Sequence, residues 1–283
     1  MYKCKIAIGA SSSFVLPVSE QIVAFRKAGF EGFFTEWSEG ENIGEYKRIA
    51  DSVGMEYQSI HAPFRNAAIM WEQSADADMA VAELIACLED CGRYGVPIMV
   101  VHAFKGFKEH CPNNIGVENF RKVVQRASAL GIKIAFENTE GEEYLDCLMS
   151  AFASYENVGF CWDTGHEMCY NHSKDMLAKY GDRLIATHIN DNLGISKYDG
   201  EIYWTDDLHL LPFDGVADWQ NVTERISRCG YDGILTFELI RLSKRERHEN
   251  DKYMKMPLDE YLAEAYARAC RVATLKLKAD KLR

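Results

Sequence analysis

Eight short runs of β-type residues alternate with eight longer stretches of helical periodicity, from one end of this chain to the other. The runs lie at 5–10, 32–37, 57–61, 98–103, 133–137, 158–163, 184–191 and 233–239. The helical stretches cover about 19–28, 43–53, 76–94, 114–130, 144–154, 173–180, 217–229 and 258–277. A repeat of roughly 35 residues is the length of one strand–helix unit. Gly29, Gly54, Gly95, Gly131 and Gly230 each close a helical stretch ahead of a strand, the place where a left-handed residue ends a helix. No Pro/Ser-rich linker or shift in composition divides the chain. Eight βα units without a boundary predict one (β/α)8 barrel spanning 1–283, a size that α/β barrels routinely reach as a single domain.

Composition narrows the class. Hydrophobic residues make up 47% and charged residues 27%, the balance of a globule with a full core, which excludes disorder, collagen and coiled coil. The net charge is −11, which argues against nucleic acid and anionic membranes as partners, because both need a surplus of Lys and Arg. No apolar run approaches the roughly 20 residues that span a bilayer. The nine cysteines are odd in number and contain no CxxC pair. They read as reduced thiols, and with no signal peptide apparent the expected location is the cytoplasm.

In a barrel of this kind the chemistry collects at the C-terminal ends of the strands. Strand three ends at His61, strand four at His102, strand five at Glu137, strand six at Asp163, strand seven at His188 and strand eight at Glu238. Six consecutive strands thus bring a His, Asp or Glu to one rim. Carboxylates gathered this way repel one another unless a cation sits among them. Mixed oxygen and imidazole donors suit a divalent metal such as manganese, zinc, cobalt or magnesium. Glu137, Asp163, His188 and Glu238, from four adjacent strands, could hold one such ion.

His166 lies three residues beyond Asp163 and is either a second metal ligand or a substrate donor. In the long, aromatic, polar stretch from Asn192 to Ala217, Asp207 and His209 could bind a second metal, together with His166, His61 and His102, or form a salt bridge within the loop. Trp37, Phe64, Trp71, Phe104 and Trp204 fall in rim loops, where aromatic faces either stack on sugar rings or pack. Arg65, Lys105 and Arg241 follow strands three, four and eight and either receive a phosphate or carboxylate or stay in solvent. His110, His172 and His248 read as exposed. There is no P-loop and no GxGxxG, so no nucleotide cofactor is indicated.

Taken together, His-Ala-Pro (61–63), Glu-Asn (137–138), Trp-Asp-Thr-Gly-His (162–166), His-Ile-Asn-Asp-Asn (188–192), Asp-Leu-His-Leu-Leu-Pro-Phe-Asp-Gly (207–215) and Glu238 resemble the xylose isomerase-like TIM-barrel superfamily. That group contains sugar isomerases and epimerases, inosose dehydratases and the endonuclease IV class of AP endonucleases. In its epimerases, residues matching Glu137, Asp163, His188 and Glu238 bind one divalent metal. The two matching glutamates act as acid and base, and the residue matching His166 contacts a substrate oxygen. The resemblance implies a metal-dependent isomerase or epimerase of a small sugar, sugar phosphate or polyol ketone, working through carboxylate-mediated proton transfer and an enediolate. His61, His102, His166, Trp37, Phe64 and Arg65 would then face substrate.

Two alternatives stay open. An inosose-type dehydratase would share the first enolisation step. An AP endonuclease would use nine zinc ligands, matched by His61, His102, Glu137, Asp163, His166, His188, Asp207, His209 and Glu238. Against the nuclease stand the acidic charge and the Phe64-Arg65-Asn66 loop, which lacks the aromatic that such enzymes offer for duplex insertion. One departure tells against a ketose 3-epimerase: Asp191-Asn192-Leu193-Gly194 carries no arginine where that group usually has one. Members of the superfamily are often dimers or tetramers, so a homo-oligomer is compatible with the resemblance.

Overall fold

The computed structural model describes residues 4–107 and 111–283. Eight strands form one sheet: β1 Ile6–Gly9, β2 Gly32–Glu36, β3 Glu56–His61, β4 Ile98–His102, β5 Lys133–Glu137, β6 Val158–Asp163, β7 Leu184–His188 and β8 Leu235–Phe237. Every pairing is parallel, in the order β7-β6-β5-β4-β3-β2-β1-β8. A parallel bridge between Ile189 and Phe237, with Ile189 N donating to Thr236 O at 2.8 Å, brings β7 against β8 and all but closes the barrel. The fold is the single (β/α)8 TIM barrel expected.

Between the strands run α1 Val18–Ala28, α2 Ile43–Val53, α3 Ala75–Tyr94, α4 Asn114–Leu130, α5 Glu142–Ala151, α6 Thr164–Cys169, α7 Met176–Tyr180, α8 Trp219–Arg228, α9 Asp251–Met254 and α10 Leu258–Leu282. All five glycines expected as helix stops have positive φ. No helix among the described residues is long and apolar enough to cross a membrane.

The two-residue period of a strand decides what reaches the barrel interior. In β5, Phe136 turns outward onto Phe120 and Phe152 of the helical layer. Ala135 turns inward, where it joins Val100, Cys161 and Ala186 in a small buried plug. Two residues further along each strand, the same inward parity delivers His102, Glu137, Asp163 and His188. Pairing keeps them level, with His102 opposite Glu137 and Asp163 opposite His188. Small plug residues below leave room for a polar layer above.

Three expected boundaries shift. Regular pairing of strand seven stops at His188 rather than Asp191, because beyond Ile189 the chain leaves β8 and bridges Leu210 in its own loop instead. Strand eight is short, and Glu238 stands one residue past it, its N–H on Ile189 O. The expected helix at 173–180 is shortened to α7, Met176–Tyr180, and a further short helix not expected from the sequence, α6, precedes it at Thr164–Cys169. His172 and Ser173, both at positive φ, break them apart. The Glu167 carboxylate bridges the break, accepting from Trp162 Nε1 at 2.9 Å and Met176 N at 3.0 Å and pairing with Arg225 at 2.6 Å.

The loop that follows β7 is organised by one buried carboxylate. Asp191 accepts from Asn192 N, Phe213 N, Ala217 N and Trp219 Nε1, at 2.8–3.1 Å. Gly215 lies so close that a Cβ there would meet Asp191 Oδ1 and Asn192 O at 2.3 Å. Removing the carboxylate strands several buried donors, each costing roughly 1–3 kcal/mol. Asp191→Ala is therefore expected to lower unfolding stability by about 3 kcal/mol or more, measured by urea denaturation. A loss under about 0.5 kcal/mol would show that the loop holds itself together without it.

Candidate metal centre

Glu137 is fully buried at the end of β5, and four imidazoles surround its carboxylate. His166 Nδ1 and His188 Nδ1 approach Oε1 at 3.3 and 3.2 Å. His61 Nε2 and His102 Nε2 approach Oε2 at 3.3 and 3.4 Å. His188 Nδ1 is also 3.1 Å from Glu238 Oε2. The His, Asp and Glu side chains gather into three donor sets whose ligand atoms lie within 4.8 Å of one another: Glu137, Asp163, His188 and Glu238; His61, His102 and Glu137; and His166, Asp207 and His209; a fourth set, Glu137, Cys161 and His188, adds a buried thiol to two ligands of the first. Glu137 belongs to every set but that of His166.

The donors are held from behind. Asn138 clamps Asp163, its Nδ2 on the Asp163 carbonyl at 2.8 Å and its Oδ1 on the Asp163 N–H at 2.7 Å. Asn190 Nδ2 and His166 N bond the two Asp163 carboxylate oxygens at 3.0 and 2.6 Å. Gly165 leaves space for this, since a Cβ there would lie 2.0 Å from Asn190 Oδ1. His188 stacks on Phe34 with centroids 4.6 Å apart. Such outer contacts orient metal ligands.

A divalent cation fits this chemistry. Glu137 Oε2 and Asp207 Oδ1 are buried and accept no hydrogen bond, although imidazole nitrogens face both. Burial pushes the Asp163 carboxyl up to about 6, opposed by His166 and reinforced by Glu137. Burial also works against ionised Glu137 and Glu238. The surrounding histidines prevail there, leaving Glu137 well below the usual carboxylate range and Glu238 at about 2. On His166 and His188 burial disfavours charge, but it is outweighed by Asp163 and Asp207 at His166 and by Cys161, Glu137 and Glu238 at His188, and both lie well above the ordinary imidazole value. Apart from the cation itself, protons are the species that would occupy these donors.

Above the donors opens a cavity of about 460 Å³. Phe64, Phe107, Tyr170 and Trp204 supply aromatic walls, and Lys105 and Lys244 supply cations. Phe64 stacks on His102 at 4.6 Å and Lys105 Nζ lies 4.4 Å over the Phe64 ring. His61, His102, His166, Asp207 and His209 all line the cavity, as do Glu137 and Glu238.

Other expected contacts lie elsewhere. Trp37 is off the cavity, its Nε1 on Asp90 of α3 at 2.8 Å. Glu36 faces inward in its place, because it pairs with inward His61 and parity alternates. Arg65 is exposed and outside the lining. Trp71 donates to Ala103 O, Phe104 stacks on Tyr144 at 4.0 Å, and Arg241 anchors the carbonyls of Tyr253 and Met256. His172 and His248 are exposed, and His110 lies outside the described residues. Lys244, Glu140 and Tyr170 line the cavity without having been singled out in the sequence. Tyr170 stacks on His166 at 4.9 Å, and Glu140 closes the Glu-Asn-Thr-Glu run that held its only signal.

The pH dependence of cation binding follows from these positions. A carboxylate binds a cation only when ionised, and Asp163 takes up its proton as pH falls through about 6. Raised His188 holds its proton to higher pH still, so that proton must be displaced on binding. Affinity for manganese is therefore expected to rise from pH 5 to pH 8 with net proton release, measured by calorimetry in buffers of different ionisation enthalpy. Affinity unchanged between pH 5 and 7 would contradict this electrostatic account.

Comparison with known proteins agrees with the fold. Residues 22–265 match the family model described as a xylose isomerase-like TIM barrel. An uncharacterised protein, y4fM, of Sinorhizobium fredii is 35% identical over 148 residues, covering 49% of this chain and 44% of that protein, so the match spans under half of that relative's length. The structure of the E. coli 3-keto-D-glucoside 4-epimerase YcjR superposes with a TM-score of 0.70 at 17% identity, covering 95% of this chain and 100% of that one. The IolI protein, solved with a bound zinc atom, superposes with a TM-score of 0.70 at 15% identity, covering 95% of this chain and 98% of that one. At such identities the two structures testify to the fold. The family match covers most of the chain, which accordingly belongs to the xylose isomerase-like TIM-barrel family.

Proposed function

We propose that this chain is a cytoplasmic, divalent-metal-dependent isomerase or epimerase acting on a small sugar, sugar phosphate or polyol ketone. The observation that carries the reading is the pair Glu137 and Glu238, which flank His188 Nδ1 at 3.2 and 3.1 Å at the floor of a sugar-sized cavity. Glu137, Asp163, His188 and Glu238 would hold the metal. When bound, it polarises a carbonyl and the neighbouring hydroxyl and so acidifies the carbon-bound proton.

The chain's own groups do the rest. Both glutamates are held ionised and ready to accept a proton. Glu238 is the more accessible, its side chain 23% exposed against 0% for Glu137, so Glu238 takes the proton from carbon. The enediolate of the substrate is then reprotonated. Return of the proton by Glu238 to the neighbouring carbon gives isomerisation; inversion needs a proton on the opposite face, which Glu137 would relay from the adjacent His166 imidazolium, 3.3 Å away, while Glu238 releases its proton to solvent. His61, His102 and His166 lie where substrate hydroxyls would be ordered, and the aromatic walls exclude water and cover the C–H faces of the ring. Loss of a β-hydroxyl after the same first step would make the enzyme a dehydratase of an inosose-type ketone.

A second reading rests on the three donor sets together. Nine ligands arranged around a shared Glu137 would suit a zinc-dependent phosphodiester hydrolase of the AP endonuclease kind. The net charge of −11 and the acidic cavity floor tell against a duplex, so we place it second.

Incubation with a panel of ketoses, ketose phosphates and inososes in heavy water is expected to incorporate deuterium at carbon in at least one, read by NMR. Glu238→Gln should lower that exchange about 10²–10⁴-fold, the usual contribution of a positioned base, while its melting temperature stays near wild type. Full exchange in Glu238→Gln would remove the proton-transfer mechanism. Cleavage of abasic-site DNA without exchange in any ketone would promote the hydrolase.

A further inference from the structure

The third donor set already contains a positive charge supplied by the chain. Lys244, in the connection after β8, reaches the cavity with its side chain 16% exposed. Its Nζ lies 2.9 Å from Asp207 Oδ2 and 3.3 Å from Trp204 O. His209 Nε2 meets the same Asp207 oxygen at 2.9 Å. The other oxygen, Oδ1, faces His166 Nε2 at 3.6 Å and accepts no hydrogen bond, while His209 Nδ1 is buried without a hydrogen bond, 3.8 Å from Glu238 Oε2. The set therefore has cation-binding donors in place, with half of its one carboxylate spent on an ammonium.

We propose that Lys244 is the resident cation of the His166–Asp207–His209 set and keeps a metal ion from loading there, so that metal is confined to the sets around Glu137. The inference rests on the metal-centre reading above. A divalent ion held by His166, Asp207 and His209 would lie within a few ångströms of the ammonium, and like charges at that range repel strongly where solvent is scarce. The ion would also draw on a carboxylate already neutralised. No comparable cation touches the other sets: among the described residues, the groups ion-paired with Glu137 and Glu238 are imidazoles. With Lys244 in place, His166 and His209 are left as hydrogen-bonding groups for substrate oxygens. Lys244 thereby acts as a specificity determinant, holding the centre in the form suited to a ketone rather than to multinuclear hydrolysis.

The test is a metal count. Wild type, Lys244→Met, His209→Ala and the double variant are dialysed against excess cobalt at neutral pH, freed of unbound metal and measured by elemental analysis, with thermal melting to confirm folding. Lys244→Met is expected to bind one equivalent more than wild type. The extra equivalent should vanish in the double variant, and His209→Ala alone should keep the wild-type number. Lys244→Gln, which removes the charge but keeps a polar side chain, should show the same extra equivalent and serves if the methionine variant folds poorly, whereas Lys244→Arg, which retains the charge, should match wild type. Equal counts in wild type and Lys244→Met, or an extra equivalent that survives His209→Ala, would overturn the inference. Metal in the wild type without a gain in Lys244→Met sinks this inference alone. No metal in any variant sinks the metal-centre reading with it.

Discussion

A single buried carboxylate, Glu137, sits within 3.4 Å of four imidazoles drawn from β3, β4, α6 and β7. Burying an ionised group is expensive unless partners surround it, so the arrangement must be assembled as a unit. The barrel does this with two devices. Parallel pairing keeps the ends of neighbouring strands level, and the two-residue period points His102, Glu137, Asp163 and His188 to the same side. Small residues directly beneath, such as Ala135 and Ala186, leave the polar layer its volume. Without a cation the centre is crowded with charges that only one another's protons can offset, and this is why the donor set reads as a metal site rather than as a structural ion-pair network.

The loop after β7 is the second half of the design. Asp191 folds it back onto the barrel, and that fold brings Asp207 and His209 over the donors from β5 and β6. Residues far apart in sequence therefore meet above the cavity: His209 Nδ1 lies 3.8 Å from Glu238 Oε2, and His166 Nε2 lies 3.6 Å from Asp207 Oδ1. The loop closes one wall of the cavity with Trp204 and presents the carboxylate that Lys244 neutralises. Position in the rim, rather than any single residue type, separates the groups that would hold a cation from those that would meet a substrate.

Much of this was legible in the sequence because the signals were local. Alternating apolar runs and the glycine stops marked eight units, and strands three to eight each carried a titratable residue at, or one position past, the place where pairing stops. Other features depended on geometry that no local pattern encodes. The choice between Glu36 and Trp37 turns on strand parity, and the wider, more conspicuous tryptophan is the one that packs against α3. The break between α6 and α7, at His172 and Ser173, is spanned by Glu167 meeting Arg225, 58 residues away. Lys244 lies in an irregular connection with no periodicity, so only the folded chain shows it beside Asp207. Trp71 and Phe104 belong to the packing behind the rim because Ala103 O and Tyr144 are there to receive them.

The most direct measurement is anomalous diffraction at the manganese edge, from crystals of the chain grown with that metal. The account predicts a peak within bonding distance of the carboxylates of Glu137, Asp163 and Glu238 and of the His188 ring. A peak confined to other residues, or no peak at saturating manganese, would contradict it.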